Sequence, residues 1–359
     1  MSDFSVAVVG HTGRGGYGHQ LDGAFVGNPR ARIVAVVDPD EEGRAAALER
    51  TGAPRGYAEI KPMLERERPD VVVVAPRHVD DHYRLVDASL DAGASVYCEK
   101  PFVQTLAQGD ALVAKAAAKG LRIGVALPFV HERRFAIAES LLEEGAIGEV
   151  KAIRGLCKCD QRGGGQDFIV LGLHFLDMIR RFAGDPLSCS ATVTLDGLSV
   201  GVGDAVEGDE GVGPIAGDAI SARYLCSSGV HASVHSWRLG IESRALHPYR
   251  LELAGDEGML VFRAPYADHS MWRSRTPFPP VGDLHAWERI PTEPVTPYSA
   301  YHVPAAEDLL DAIAEEREPA CSGADGLAAL ELVHAAYASH LAGREVALPL
   351  ERRSHPLAG

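Results

Sequence analysis

The chain has 359 residues, 46% hydrophobic and 24% charged, an ordinary globular balance with length enough for two domains and a large core. Its formal net charge of -15, with no Lys/Arg run to offset it, argues against nucleic acid or an anionic membrane as a partner. No apolar run approaches a spanning helix, the first residues lack a signal-peptide layout, and six scattered cysteines do not make a disulfide framework, so a soluble cytoplasmic protein is expected.

Phe4 to Val9 reads as a buried strand that runs into Gly10-His-Thr-Gly-Arg-Gly-Gly-Tyr-Gly18, with a helix expected through Leu21 to Val26. Strand, glycine-rich turn and helix are the context a dinucleotide fingerprint requires. The glycines admit a tight turn and let backbone N–H groups approach a pyrophosphate, and a helix amino terminus would add a favourable field. Gly13, Gly15 and Gly18 fit G-x-G-x-x-G, but Gly10 is the glycine that directly follows the strand, so the loop reads longer than the standard one. Gly10, Thr12, Gly13, Arg14 and Gly15 are its candidate cofactor contacts. Arg32 to Val37 reads as the second strand, with Asp38 at its end. A carboxylate there accepts from ribose hydroxyls and repels a 2'-phosphate, which favours NAD over NADP.

Glu41 to Arg50 reads as a helix, Tyr57 to Leu64 contains a short one, and Asp70 to Ala75 is a strand buried on both faces. Pro76, Arg77, His78 and His82 follow it at the carboxyl edge of the sheet, where ligands of open α/β sheets bind; Pro76, Arg77 and His82 join the cofactor candidates. Ser95 to Cys98 is a short strand that ends in Glu99-Lys100-Pro101. Pro101 removes a backbone donor and disfavours helix at Lys100, so the chain must turn with the lysine at the strand end. An ammonium held at such an edge can steady an alkoxide or polarise a carbonyl; the plainer reading is an exposed lysine in a turn. A helix over Leu106 to Lys119 and a strand over Arg122 to Ala126 complete an alternating βα series. That alternation predicts a doubly wound parallel sheet, a Rossmann-type α/β domain over residues 1–127.

Residues 128–359 change character. A helix is expected over Arg134 to Glu144 and a strand over Val150 to Cys157, with Cys157 and Cys159 facing the core together. Asp160 to Asp167 reads as a loop too glycine-rich to hold a helix, and Phe168 to Phe182 as a helix. Strands then follow without helices over Ser188–Leu195, Ala219–Leu225, Gly229–Trp237, Tyr249–Ala254 and Gly258–Phe262. Such a succession predicts an α+β domain on a large, mainly antiparallel sheet. Asp196 to Gly217 and Ala264 to Tyr301 read as irregular. Helices are expected at 305–316, packing back on the first domain, and at 326–342.

These residues together resemble the Gfo/Idh/MocA family, named for glucose-fructose oxidoreductase, inositol dehydrogenase and rhizopine catabolism. The likeness rests on the glycine loop, Asp38, Ala75-Pro76 with His82, Glu99-Lys100-Pro101 with Thr105, Gly145-Ala-Ile-Gly148, Gly163 to Gly165, Gly172-x-His174-x-x-Asp177 and Gly255-Asp-Glu-Gly258. It implies NAD(P)-dependent oxidation or reduction of a sugar, cyclitol or related polyol, and a homodimer or homotetramer formed through the second-domain sheet. Glu99 and Lys100 then stand among the cofactor contacts. Lys100 is the expected oxyanion stabiliser and His174 the proton acceptor, since an imidazole titrates near neutral pH. Asp160, Arg162 and Asp167 are candidates for hydroxyl recognition, with substrate expected between the domains. Family members commonly carry an Asp where this chain has Val170; Asp167, one helical turn earlier, is the candidate replacement. Two other outcomes stay open: a glycosidase that uses transient oxidation by NAD, and a non-catalytic NAD/sugar sensor. No metal site is expected, because the Asp160, Asp167 and His174 spacing is not diagnostic.

Overall fold

In a computed structural model the described residues are 4–239, 248–263, 270–277, 286–292 and 298–358. They form two compact units, one of Met1–Pro128, Asp209–Gly213 and Pro297–Ala328, the other of Phe129–Gly208, Pro214–Thr296 and Ala329–Gly359.

The first unit is built on a parallel six-stranded sheet of β1 (Phe4–Val9), β2 (Ala31–Val37), β3 (Gly56–Tyr57), β4 (Val71–Val74), β5 (Ser95–Cys98) and β6 (Ile123–Val125), in the order β3-β2-β1-β4-β5-β6. Its central strands are continuous apolar runs because helices cover both faces; Val71 to Val74 are all fully buried. The helices are α1 (Glu41–Thr51), α2 (Ile60–Glu67), α3 (His82–Asp91) and α4 (Leu106–Lys119). Asp40 caps α1 by accepting from the Gly43 amide, and Thr105 with Gln108 forms a capping box on α4, which fixes where the β5 loop ends. The helix His302–Ala314 belongs to the same unit: Ala305, Ala306, Leu309 and Leu310 complete a core with Val6, Val8, Phe25 and Tyr97.

The order reverses between β1 and β4, so the crevice at their carboxyl ends is where this architecture takes a ligand. One sequence expectation fails beside it. No α-helix spans Leu21 to Val26; the chain makes only a 3-10 turn at Leu21–Gly23. Gly18 and Gln20 sit at φ 58° and 66°, left-handed values that do not lead into an α-helix, and Gly27 at φ 77° stops it from continuing. The macrodipole invoked for the pyrophosphate is therefore missing from this loop.

The second unit carries a ten-stranded sheet, in the order Trp287–Ile290, Met271–Ser274, Met259–Arg263, Arg250–Gly255, Val150–Leu156, His231–Trp237, Ala219–Cys226, Pro186–Leu195, Val346–Ala347, with Leu198–Ser199 beside Pro186–Leu195. Only the pairing of Val150–Leu156 with His231–Trp237 is parallel. Along Ala219–Cys226 burial alternates strictly. Ile220, Ala222, Tyr224 and Cys226 face the core, where the Tyr224 hydroxyl donates 2.9 Å to the Leu332 carbonyl of helix Gly323–Ala342.

Two further readings are corrected. The segment Asp160 to Asp167 is not all loop, since a helical turn at Gly165–Asp167 continues as a π-helical stretch, Phe168–Gly172, and then as α-helix over Leu173–Ala183. Ala264 to Tyr301 contains the strands Met271–Ser274 and Trp287–Ile290, while 264–269, 278–285 and 293–297 lie outside the described residues.

Candidate active site

Lys100 follows β5 at the carboxyl edge of the first unit's sheet and is 3% exposed, so it is not a surface turn lysine. Glu99 beside it is fully buried, and its Oε1 accepts from the Lys100 amide at 3.1 Å. The same oxygen lies 3.0 Å from Nδ1 of His19 on the glycine loop. Burial alone would raise the Glu99 carboxyl, but His19, Lys100 and His302 outweigh it and hold the group well below the usual carboxylate range. A fixed negative charge thus stands at the root of the lysine, tied to the loop in front of it. His82 is fully buried, with Nε2 2.7 Å from the Pro76 carbonyl oxygen and Nδ1 2.9 Å from that of Pro101. It fastens the β4 and β5 loops to each other.

The glycine loop is shaped by Asp38. That carboxylate is fully buried and accepts from the Thr12 amide at 3.1 Å, the Thr12 hydroxyl at 2.8 Å and the Asp40 amide at 3.0 Å. Thr12 thereby anchors the loop to the end of β2. At the loop tip the Gly13 and Gly15 amides meet no acceptor among the described residues, and both glycines have left-handed φ, 81° and 83°. A Cβ on Gly15 would lie 2.6 Å from the Arg77 backbone nitrogen, so only glycine permits this approach. Arg14 pairs with Asp80 and Asp81, and Arg77 with Glu210. Beside the loop a cavity of about 340 Å³ is lined by Gly10, His11, Pro39, Ile60, Pro76 and Leu85 among others. Apolar walls and two unengaged amides fit an adenosine with its pyrophosphate.

In the second unit His174 sits two residues past the π-helical stretch, 3% exposed, its ring centroid 4.7 Å from that of Phe129. A π-helical turn inserts a residue into the helical repeat and re-aims the side chains beyond it, and for that reason such turns gather at functional sites. Gly172 permits it: a Cβ there would sit 3.2 Å from the Cys157 sulfur. Val170 lies inside the stretch, 2% exposed. The three hydroxyl-recognition candidates differ. Asp160 is locked to Arg162, whose amide and guanidinium donate to it at 2.9 and 2.8 Å, and to Lys158 at 3.0 Å; these cations overcome burial and hold its carboxyl low. Asp167 is fully buried, and its Oδ2 accepts from Ser236 Oγ at 2.6 Å and the Cys159 amide at 2.8 Å. Its Oδ1 has no partner among the described residues, and burial raises its pKa. Asp167 is therefore a staple between two strand ends, with one oxygen left over.

Sequence reasoning missed His19, Glu210 and the π-helical stretch. His19 had a weak signal, since it directly follows Gly18; Glu210 had none, being remote in sequence from Arg77. Among the described residues no cluster of three or more His, Cys, Asp or Glu is arranged to hold a metal ion.

The oxidoreductase family described as having an NAD-binding Rossmann fold matches residues 4–127. D-apiose dehydrogenase of Paraburkholderia graminis is 30% identical over 333 residues, covering 89% of this chain and 83% of that protein. Inositol 2-dehydrogenase of Rhizobium meliloti is 26% identical over 94% of this chain and 98% of its own length. Among solved structures, levoglucosan dehydrogenase in complex with NADH and L-sorbose superposes with a TM-score of 0.76 over 96% of this chain and 98% of that one, at 20% identity, a likeness of fold.

Proposed function

The chain belongs to the Gfo/Idh/MocA oxidoreductase family, and from that membership we propose that it is an NAD-dependent dehydrogenase of a sugar, cyclitol or related polyol. The observation that carries this reading is the buried Lys100, rooted on a buried Glu99 at the strand edge where a dinucleotide binds. Bound NAD supplies the hydride acceptor. Gly13 and Gly15 would hold its pyrophosphate through their amides, and the cavity beside Gly10 and Pro76 its adenosine. Lys100 stabilises the oxyanion that develops on the substrate hydroxyl, and His174 takes up its proton. Asp160 is locked by two cations, which leaves Arg162 the better candidate of the two for a substrate hydroxyl. Asp167 keeps one carboxylate oxygen for a buried hydrogen bond.

Preference for NAD is supported by Asp38, a buried carboxylate at the end of β2, since a negative charge there would repel a 2'-phosphate. A self-associating sheet face is supported by the outward face of Ala219–Cys226, with Leu225 exposed and Leu187 of the neighbouring strand 52% exposed; size-exclusion chromatography with light scattering tests a dimer or tetramer. The six cysteines, all buried and unbridged, support a reducing compartment such as the cytoplasm. No helix among the described residues is long and apolar enough to cross a membrane.

The decisive assay follows NADH formation over a panel of pentoses, hexoses, anhydrosugars and cyclitols, then repeats it with Lys100→Ala. A loss of about 10²–10³ in kcat with NADH binding retained is expected. An unchanged kcat removes Lys100 from the chemistry, and glycoside cleavage without net NADH would replace the dehydrogenase with a glycosidase.

A further inference from the structure

Residues Asp209–Gly213 come from the stretch of chain between the second unit's strands, yet they cluster with the first unit. Their fastening is specific. Arg77 donates to the Glu210 carboxylate, Gln104 Nε2 donates 2.9 Å to the Gly211 carbonyl, and a Cβ on Gly211 would lie 2.5 Å from Oδ1 of Asp80. The backbone is left-handed at Glu210 (φ 62°), Gly211 (61°) and Gly213 (85°). Glycine adopts that conformation freely, whereas glutamate does so only when its surroundings impose it. The parallel sheet has its strands and covering helices without this segment, so its own packing does not call for a strained glutamate there.

The neighbours of the segment give the reason. Arg77 and Asp80 follow β4, and Gln104 follows β5 four residues after Lys100. The cavity suited to adenosine is lined by the loops after β1, β2 and β3 and, after β4, by Pro76, Asp81, Arg84 and Leu85. Residues 209–213 are held by residues after β4 and β5, so they run from the β4 wall of that cavity toward the Lys100 end of the sheet edge, where the proposed function puts the nicotinamide.

We propose that residues 209–213 are a strap that closes the nicotinamide end of the cofactor site, that Glu210 fastens it through Arg77, and that its opening sets the rate of cofactor exchange. The proposal rests on the reading that this edge binds NAD. The fastening suits a reversible closure. The Arg77 and Glu210 side chains are 33% and 25% exposed, so their pairing is weakened by solvent and one hydrogen bond from Gln104 supplements it. Closed, the strap keeps water from the redox end of the cofactor; open, it lets the cofactor leave.

The test is NADH dissociation from the full chain, followed by stopped-flow fluorescence on displacement with excess NAD. Glu210→Gln and Gln104→Ala are each expected to raise the dissociation rate about fivefold, the scale of a partly exposed ion pair or a single hydrogen bond. Gly211→Ala, which forces a methyl onto Asp80, should raise it further. Glu210→Gly removes the carboxylate but relieves the left-handed strain, so it should speed dissociation without lowering the melting temperature. Wild-type dissociation rates in all four variants overturn the strap, as do variants that melt earlier but release NADH no faster. A wild-type chain that binds no NADH overturns the cofactor reading itself, and the strap with it.

Discussion

Thr12 shows how a single side chain sets the binding edge. Its amide and hydroxyl both go to Asp38, so the carboxylate proposed to favour NAD also fixes the loop that would carry the pyrophosphate. Thr12→Val keeps the shape and removes one hydrogen bond to a charge, a change of about 1.5–3 kcal/mol. NADH affinity is expected to fall about tenfold, read by fluorescence titration; unaltered affinity would mean that Asp38 does not act through Thr12. Lys100, His174 and the glycines were legible because a strand edge, a proline and a signature spacing all mark them in the chain itself. The engagements of Asp38, Arg14 and His82 were not. A carboxylate after a strand reads the same whether it faces a ribose or a neighbouring threonine, and only three-dimensional proximity reveals that His82 lies between two carbonyls.

At the level of elements, periodicity found α4 and most strands closely but misjudged two joins. Both failures have one cause: glycine permits a turn without specifying which turn. After β1 the glycines take left-handed values and no α-helix forms; before His174 they admit a helical turn at Gly165–Asp167 where loop was expected, and the helix expected from Phe168 opens as a π-helical stretch. A third element has a consequence in pH. On helix Gly323–Ala342, His334 is fully buried, neither ring nitrogen meets a partner among the described residues, and its ring stands 4.4 Å from that of His355 in the carboxyl-terminal tail. Burial drives the His334 pKa well below its ordinary value, helped by His355 and Arg353, and lowers that of His355 to about 4, helped by Arg352. Both are neutral in the fold and protonate near pH 6.5 when unfolded, so the unfolded chain binds more protons below that pH. Stability is fully present above about pH 6.5 and declines as pH falls toward 4. Urea midpoints measured from pH 7.5 to 5 should therefore drop. His334→Phe should flatten the decline and raise stability by about 1 kcal/mol at pH 5.5, because an unpaired buried polar group is replaced by an apolar ring. A variant as acid-sensitive as the wild type would clear His334 of responsibility.

For the molecule as a whole, the net charge of -15 opposes the approach of an anionic dinucleotide. Salt shortens the range of that repulsion to about 10 Å at 0.1 M. The association rate of NADH is expected to rise between 20 and 300 mM NaCl, the reverse of electrostatic steering; a falling rate would show that local amides and arginines outweigh the global field. The layering of each unit was readable from the pattern of apolar runs, since parallel strands buried on both faces and half-covered antiparallel ones leave different patterns. The return of a carboxyl-terminal helix to the first unit was expected from the sequence, whereas the membership of Asp209–Gly213 is long-range and no local pattern encodes it.

That discontinuity bears on how the protein is made. Ala305, Ala306, Leu309 and Leu310 seal a core whose other members all lie before residue 127, so the first strands leave the ribosome with an apolar flank that stays bare until the closing stretch of the message has been translated. A nascent or truncated chain ending at Pro128 is expected to recruit chaperones or precipitate, and supplying the missing helix as a separate peptide should restore its solubility.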